Sequence, residues 1–283
     1  MTATYTAKDV QELRARTGAG MMDCKKALEE NQGDMEAAVD FLRKKGIAKA
    51  EKRAGKSASE GVVVAETNER GGVLVEVNCE TDFVARNADF QQIARSVAQH
   101  ALATASATDA ASLLASAMTD GQDVATYIKE TSAKMGELVE VRRMARLDGT
   151  VGKYVHFNGK IGVLVAVDGA QNDESRQLAN VLAEHVAAAA PLGVDKDTVP
   201  ADVVERERAI FTEQVRQAGK PEAMIDKIVT GKVDAYYKDV ALLHQMWVRE
   251  PKTPISAVVA EAGKKAGAPI TVRGFKRFQL GQE

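Results

Sequence analysis

The sequence has little aromatic content and few cysteines. Only 5% of its 283 residues are aromatic, and its two cysteines, Cys24 and Cys79, form no CxxC motif. This usage excludes a disulfide framework and a zinc cluster, and it is typical of a reducing compartment. The sequence also lacks a signal-peptide pattern and any apolar run near the ~20 residues that a membrane span needs. We therefore expect a cytoplasmic protein that binds no membrane and holds no metal or other cofactor.

An excess of one charge is also lacking. The 38 lysines and arginines nearly balance the 40 acidic residues, for a net charge of −2. A dedicated nucleic-acid-binding protein normally has a basic excess, so we expect no direct nucleic-acid contact. One segment, Arg43–Lys56, holds seven basic residues and one acidic residue. A solvated linker is the usual interpretation of such a run, and an electrostatic contact with an acidic partner or RNA is the alternative.

The first part of the chain predicts a three-helix module over residues 1–46. Thr6 and Asp9 have the spacing of a capping box at the start of the first helix. Gly33 and Asp34 are suited to end the second helix and cap the third. Residues 47–60, within the basic run, are the expected linker to the rest of the chain.

The remainder contains a diverged duplication. The tetrapeptide Gly-Val-Leu-Val occurs at 72–75 and again at 162–165, and each copy is followed by an amphipathic helical pattern. Each copy then ends with a V-R-x-apolar-x-R-apolar strand, at 141–147 and 272–278. Each half is expected to be a small antiparallel sheet covered by helices, which makes the fold class α+β. The expected subdomains are N, residues 61–148, and C, residues 149–199 and 241–283.

The two copies differ by one insertion each. Copy two contains residues 200–240, whose apolar spacing on both sides of a Gly219–Pro221 turn predicts a projecting helical hairpin. Such a hairpin buries little by itself, so we expect it to pack against something, for example a second copy in a homodimer. Copy one has about five additional residues around 78–87.

Within that insertion, the Thr81–Val84 segment has two interpretations. In one, Thr81 caps a helical turn and Phe83 packs with Phe90 on the same face. In the other, the longer connection displays Phe83 beside a charge, as binding anchors are displayed. The spacing does not decide between them.

The sequence offers few catalytic candidates. It has no GxxxxGK[ST], HExxH or GxSxG motif, and Gly18-x-Gly20 lacks both the third glycine and the preceding strand of a dinucleotide fingerprint. His100 and His185 lie on apolar helix faces, which favours core histidines over ligands or bases. Trp247, the only tryptophan, is expected to be a packing anchor. We therefore expect no catalytic residue and no enzyme activity.

Two longer segments, Arg14–Leu28 and Glu76–Ala85, closely resemble the signature sequences of bacterial elongation factor Ts. The expected architecture also resembles that family: a ubiquitin-associated-like module, a linker, two similar halves and an inserted coiled-coil hairpin. The resemblance spans essentially the whole chain. It implies a guanine-nucleotide exchange factor that binds elongation factor Tu, both GDP-bound and nucleotide-free, and promotes GDP release in translation elongation.

The resemblance also implies residue roles. The Thr81, Asp82, Phe83 and Val84 motif would dislodge the partner's magnesium, with Phe83 as a wedge between partner helices and Asp82 making polar contacts beside it. His156 matches a family histidine of subdomain C, which grips another partner domain. Some members continue into a further C-terminal helical module, and we expect that contact to be absent because the sequence stops at Glu283. The N-terminal residues implied to contact the partner's nucleotide-binding domain are Arg14, Thr17, Gly18, Ala19, Gly20, Met21 and Met22.

A ribosome- or RNA-associated module is the competing class. It would use Arg43–Lys56 and the basic residues of the last strand, Arg273, Lys276 and Arg277. This class predicts salt-sensitive RNA binding, whereas an exchange factor forms a stable complex with nucleotide-free elongation factor Tu.

Overall fold

The computed structural model describes residues 5–51 and 55–282, and for residues 47–51 it describes the backbone only. The chain contains helices, two three-stranded sheets and a two-stranded ribbon in the described ranges. None of the helices in these ranges is long and apolar enough to span a bilayer. The helices are α1 (Ala7–Thr17), α2 (Met21–Glu30), α3 (Met35–Glu51), α4 (Asp82–Ala85), α5 (Ala88–Ala103), α6 (Ala110–Leu114), α7 (Val124–Met135), α8 (Asp173–Ala189), α9 (Ala201–Gln217), α10 (Glu222–Val240) and α11 (Ile255–Ala266). The strands are β1 (Glu60–Asn68), β2 (Gly71–Cys79), β3 (Val139–Asp148), β4 (Thr150–Val155), β5 (Ile161–Asp168), β6 (Met246–Trp247), β7 (Glu250–Pro254) and β8 (Thr271–Gln279).

Helices α1 to α3 form the predicted N-terminal module. The Thr6 N–H donates to the Asp9 carboxylate at 2.7 Å and the Asp9 N–H donates to Thr6 Oγ1 at 3.3 Å, which confirms the capping box. The helices enclose a small apolar core centred on Leu13 and Leu28. Helix α3 continues past residue 46 to Glu51, so the first part of the expected linker is helical. Residues 52–54 of that linker lie outside the described residues.

The two halves of the duplication have the same strand topology. One sheet has the order β1-β2-β3 and the other the order β4-β5-β8. In each sheet the first two strands are consecutive in the sequence, and a later strand pairs with the second of them. The pairing of β5 with β4 and with β8 is antiparallel. The mixed helix and sheet content is that of the expected α+β class. The β6–β7 ribbon carries Trp247, which packs against an apolar core as predicted.

The chain divides into two compact units. The first unit runs to Val64 and includes Val75–Met144 and the end of the chain from Leu280. The second unit comprises Ala65–Leu74 and Ala145–Gln279. The boundary therefore passes through the first sheet and does not coincide with the repeat boundary at 148 and 149 that the sequence predicts.

Helices α9 and α10 form the predicted hairpin in the second unit. Val215, Ile225, Val229 and Val233 are buried between them and make a core of their own. At the base of the hairpin, the segment before α9 is hydrogen-bonded to the end of α10: the Leu192 N–H donates to the Val240 carbonyl at 2.8 Å.

Candidate protein-binding site

A short helical turn follows the buried strand β2 and carries the Thr81–Val84 motif. Thr81 is the N-cap of α4, and its hydroxyl accepts the Val84 N–H at 3.4 Å. Phe83 is 84% exposed, although Phe90 is fully buried on α5. Thr81 therefore caps a turn as one interpretation predicted, but the packing of Phe83 on Phe90 that the same interpretation predicted is wrong. Residues 81–85 are called the Thr81 turn below.

The Thr81 turn has an exposed carboxylate at Asp82 and follows an unreactive thiol at Cys79. The Asp82 carboxylate pairs with Arg86 at 3.0 Å on the surface, where such pairs contribute little to stability. Asp82 can therefore exchange this partner for another at small cost. Burial, together with the negative charge of Glu137, raises the pKa of the Cys79 thiol to about 12. Since the thiolate is the reactive form, Cys79 is not a nucleophile near neutral pH.

The N-terminal segment, residues 14–22, also presents apolar surface. Helix α1 ends at Gly18, whose φ of 69° lies in the left-handed region that glycine adopts readily. The Thr17 hydroxyl stabilises this end by donating to the Leu13 carbonyl at 2.7 Å. The next helix then begins with Met21 and Met22, which are 45% and 74% exposed. Of the other expected contact residues, Arg14, Gly18 and Gly20 are exposed, and Thr17 and Ala19 are half-buried.

Helix α7 connects the N-terminal segment to the Thr81 turn within the first unit. The Lys134 side chain lies against Gly18, where an added Cβ would be 3.2 Å from Lys134 Cγ. The Lys134 ammonium is held by Asp89 at 3.1 Å. Glu137, just beyond the end of α7, hydrogen-bonds to Thr81. One helix and its C-terminal extension thus contact both segments.

His156, in the second unit, lies in the loop between β4 and β5. Its Nδ1 is 3.1 Å from the Tyr154 hydroxyl, and its ring centroid is 4.5 Å from that of Phe157. Phe157 is 92% exposed. Phe157 is not among the contact residues that the sequence predicts. Its position beside the Asn-Gly dipeptide was the available signal, because turn residues rarely bury their side chains.

The conformation of this loop differs from the tight type I′ turn that its Asn158-Gly159 dipeptide predicts. Asn158-Gly159 is the dipeptide of a two-residue type I′ turn, which needs a positive φ at both residues. Only Gly159, at φ 69°, has one. The loop instead closes through the Gly159 N–H, which donates to the His156 carbonyl at 2.8 Å. A wider loop results, and it leaves room for the Phe157 ring beside His156.

Several side chains of the two basic segments have partners within the same chain, either acidic side chains or backbone carbonyls. Lys45 pairs with Asp23 at 2.9 Å and Lys56 with Glu80 at 2.9 Å, and Arg43 pairs with Glu130. In the last strand, Arg273 donates to the Asp148 carbonyl and Arg277 to the Ala187 carbonyl. The three ion pairs offset part of the positive charge that Arg43–Lys56 would present to RNA.

Within residues 5–51 and 55–282, no group of three or more His, Cys, Asp or Glu side chains is arranged to hold a metal ion. His185 is fully buried and hydrogen-bonded, as predicted for a core histidine. His100 is half-buried, and its Nε2 lies 2.8 Å from the Ser116 hydroxyl. The exposed features are instead apolar side chains on fixed turns. Such a fold and site define a protein-binding factor.

Comparison with known proteins identifies the family. The family model for elongation factor TS matches residues 80–282. Elongation factor Ts of Sphingopyxis alaskensis is 49% identical, covering 99% of this chain and 94% of that protein. Elongation factor Ts of Chloroherpeton thalassium is 44% identical over 99% of this chain and 100% of its own. The chain belongs to the elongation factor Ts family, whose members act in translation elongation.

Proposed function

We propose that this chain is a guanine-nucleotide exchange factor that binds GDP-bound elongation factor Tu in the cytoplasm and promotes GDP release. It performs no chemical step of its own, so it is not an enzyme in the sense of making or breaking covalent bonds. Membership in the elongation factor Ts family supports the partner. The observation that carries the proposal is Phe83, an 84% exposed aromatic ring on a capped turn.

The Thr81 turn acts on the magnesium and phosphate site of the partner. Phe83 inserts between helices of the partner's nucleotide-binding domain, and Asp82 makes polar contacts beside it. Magnesium is bound there by oxygen ligands and offsets phosphate charge, so displacing its coordination shell weakens nucleotide binding. Burial of an exposed phenyl ring contributes about 2 kcal/mol or more to binding, which is available to drive this displacement.

Two further surfaces hold the partner. The N-terminal segment, as part of a ubiquitin-associated-like module, contacts the nucleotide-binding domain through Met21 and Met22, whose flexible apolar side chains suit such an interface. In the second unit, His156 and Phe157 contact another domain. Aromatic residues are enriched among interface anchors, which supports this role for Phe157.

The hairpin of α9 and α10 has exposed apolar side chains that can contact a second copy. Ile210 and Met224 are 43% and 50% exposed on α9 and α10, outside the buried hairpin core. We propose this face as the homodimer contact, and sedimentation equilibrium measures it directly.

The Phe83→Ala variant tests the exchange mechanism. We expect the rate constant of GDP release from elongation factor Tu, at a fixed subsaturating factor concentration, to fall about thirtyfold, since loss of an anchor costs about 2 kcal/mol. A fluorescent GDP analogue in stopped flow measures this. The thermal unfolding midpoint should not change, because the ring is exposed.

Leu192→Ala is the matched control, because it removes an exposed apolar side chain from the second unit and not from the Thr81 turn. An unchanged release rate with Phe83→Ala contradicts the wedge mechanism. If Phe83→Ala unfolds, the ring is instead required for the stability of the protein. Salt-sensitive RNA binding without any effect on GDP release would favour the RNA-associated class.

A further inference from the structure

The Thr81 turn is too short to keep its conformation unaided. Helix α4 comprises Asp82–Ala85, a single turn. Helix formation is cooperative and its first turn is unfavourable, so an isolated turn of this length is mostly unfolded in water. The cap that Thr81 provides stabilises such a turn only modestly and does not offset that cost. Other contacts must therefore hold the turn that presents Phe83.

Glu137 supplies those contacts from a distant part of the sequence. One of its carboxylate oxygens accepts the Thr81 N–H at 3.0 Å, and the other accepts the Thr81 hydroxyl at 2.6 Å. Hydrogen bonds to an ionised acceptor are about twice as strong as neutral ones, and a bidentate pair also fixes orientation. Both polar hydrogens of Thr81 are thus directed at one carboxylate.

This arrangement also determines what the Thr81 hydroxyl can do. A hydroxyl has one hydrogen and two lone pairs. Because its hydrogen is given to Glu137, the oxygen presents lone pairs to the Val84 N–H, the bond that caps α4. The carboxylate of Glu137 therefore acts on the cap through Thr81.

A reciprocal bond completes the connection between the two chain segments. The Leu138 N–H donates to the Glu80 carboxylate at 2.7 Å. Three hydrogen bonds thus join residues 80–81 to residues 137–138. Two are donated by Thr81 to Glu137, and one is donated by Leu138 to Glu80. The negative charge of Glu137 also contributes to the raised pKa of Cys79 at the end of β2, as expected for a carboxylate this close to the turn.

We propose that Glu137 is a positioning residue of the exchange surface: by binding both polar hydrogens of Thr81, it holds the turn in the conformation that presents Phe83 to the partner. This inference rests on the proposed exchange function. Glu137 acts through Thr81 and not by contact with nucleotide. A protein whose binding-competent conformation is only partly populated binds more weakly by that fraction, so loosening the turn should weaken its action.

The Glu137→Gln variant tests the proposal with little change of shape. The glutamine oxygen can accept one of the two Thr81 hydrogens, but its NH₂ group then faces the other donor. We expect GDP release at a subsaturating concentration of the variant to slow about tenfold, and the amide hydrogen of Val84 to exchange faster with solvent. The thermal unfolding midpoint should change little, and Glu140→Gln, the same loss of charge three residues further along the chain, should leave release unaffected.

A second pair of variants keeps the test decisive if Glu137→Gln fails to fold. Thr81→Ser retains the hydroxyl that donates to Glu137, whereas Thr81→Val retains the shape and loses that hydroxyl. We expect GDP release at a subsaturating concentration to be several times slower with Thr81→Val than with Thr81→Ser. Equal rates for the two overturn the proposal.

The double variant Glu137→Gln with Phe83→Ala separates positioning from direct contact. If Glu137 acts by placing Phe83, its substitution should add no further loss once the ring is absent. Full additivity overturns the positioning role. A slow Phe83→Ala with an unaffected Glu137→Gln overturns that role alone, whereas Phe83→Ala at the wild-type rate overturns the exchange mechanism and the positioning role with it.

Discussion

His185 is a buried side chain whose two ring nitrogens both have hydrogen-bond partners. The Gln245 amide nitrogen donates to the Asp239 carbonyl at 2.6 Å, which turns the Gln245 oxygen towards His185 Nε2, 2.9 Å away. The Val248 N–H donates to His185 Nδ1 at 3.3 Å. The ring is therefore neutral with its hydrogen on Nε2, and a second proton on Nδ1 would face an N–H donor. Burial lowers the pKa of His185, and the Gln245 bond opposes this to a smaller extent.

This residue should make the stability of the protein depend on pH. Below its ordinary pKa of 6.5, His185 takes up a proton in the unfolded chain but not in the folded one, so stability is lost as the pH falls. The slope is at most about 1.4 kcal/mol per pH unit. Urea unfolding at pH 7.5 and 5.0 measures it, and His185→Gln should lose about 1 to 2 kcal/mol less than the wild type over that interval. If the wild type and His185→Gln lose the same stability between pH 7.5 and 5.0, His185 is not the source of the pH dependence.

Among the elements, helix α8 and strand β4 approach each other closely at their backbones. A Cβ added at Gly152 would lie 2.2 Å from the Ala179 carbonyl carbon and from the Asn180 nitrogen, both backbone atoms. Asn180 also accepts the Lys153 N–H with its side-chain oxygen at 2.9 Å. Glycine at 152 therefore permits the helix to lie directly on the strand.

The substitution Gly152→Ala should separate these two elements. Because backbone atoms cannot move aside as a flexible side chain can, we expect a loss of about 2 to 3 kcal/mol, in the range of overpacked cores. Gly274→Ala in the same sheet is the control, since nothing lies within 4 Å of its added Cβ. Chemical denaturation of both variants should separate them clearly. Equal stabilities would mean that α8 shifts at no cost.

The elements that the sequence predicted correctly are those with local signals. Capping residues, helical periodicity and the repeated Gly-Val-Leu-Val segment predicted the module, the two sheets and the hairpin. The exposure of Phe83 was not predictable, because a seven-residue spacing to Phe90 fits packing and display equally well. The bond between Thr81 and Glu137 joins positions 56 residues apart, and no local pattern records it. The loop at His156 was predicted too tight because the dipeptide alone does not fix the loop length.

Across the whole molecule, the proposed contacts are divided between the two units. The first unit contains the N-terminal segment and the Thr81 turn, and the second contains His156 and Phe157. Neither unit coincides with one copy of the repeat, since the first sheet contributes to both. The duplication does not predict this division, because the unit bounds fall within β1, β2 and β3 and not between the copies.

Exchange by displacement makes nucleotide and factor compete for the partner. If binding of this protein weakens the affinity of the partner for GDP by some ratio, binding of GDP must weaken the affinity of the partner for this protein by the same ratio. Such couplings are commonly about 1–3 kcal/mol, and an effective exchange factor should be at or above the upper end. We expect a complex isolated without nucleotide to dissociate when either GDP or GTP is added, as surface plasmon resonance can measure. Dissociation by only one of the two nucleotides would contradict direction-neutral exchange.

The single tryptophan gives the protein a built-in optical reporter. Trp247 is half-buried against the core of the second unit, and the first unit has no tryptophan. Its intrinsic emission therefore follows the unfolding of the second unit, whereas circular dichroism follows the helices of both. If the two signals change at different denaturant concentrations, the two units unfold in separate steps. Loss of stability can thus be assigned to one unit without attaching a dye.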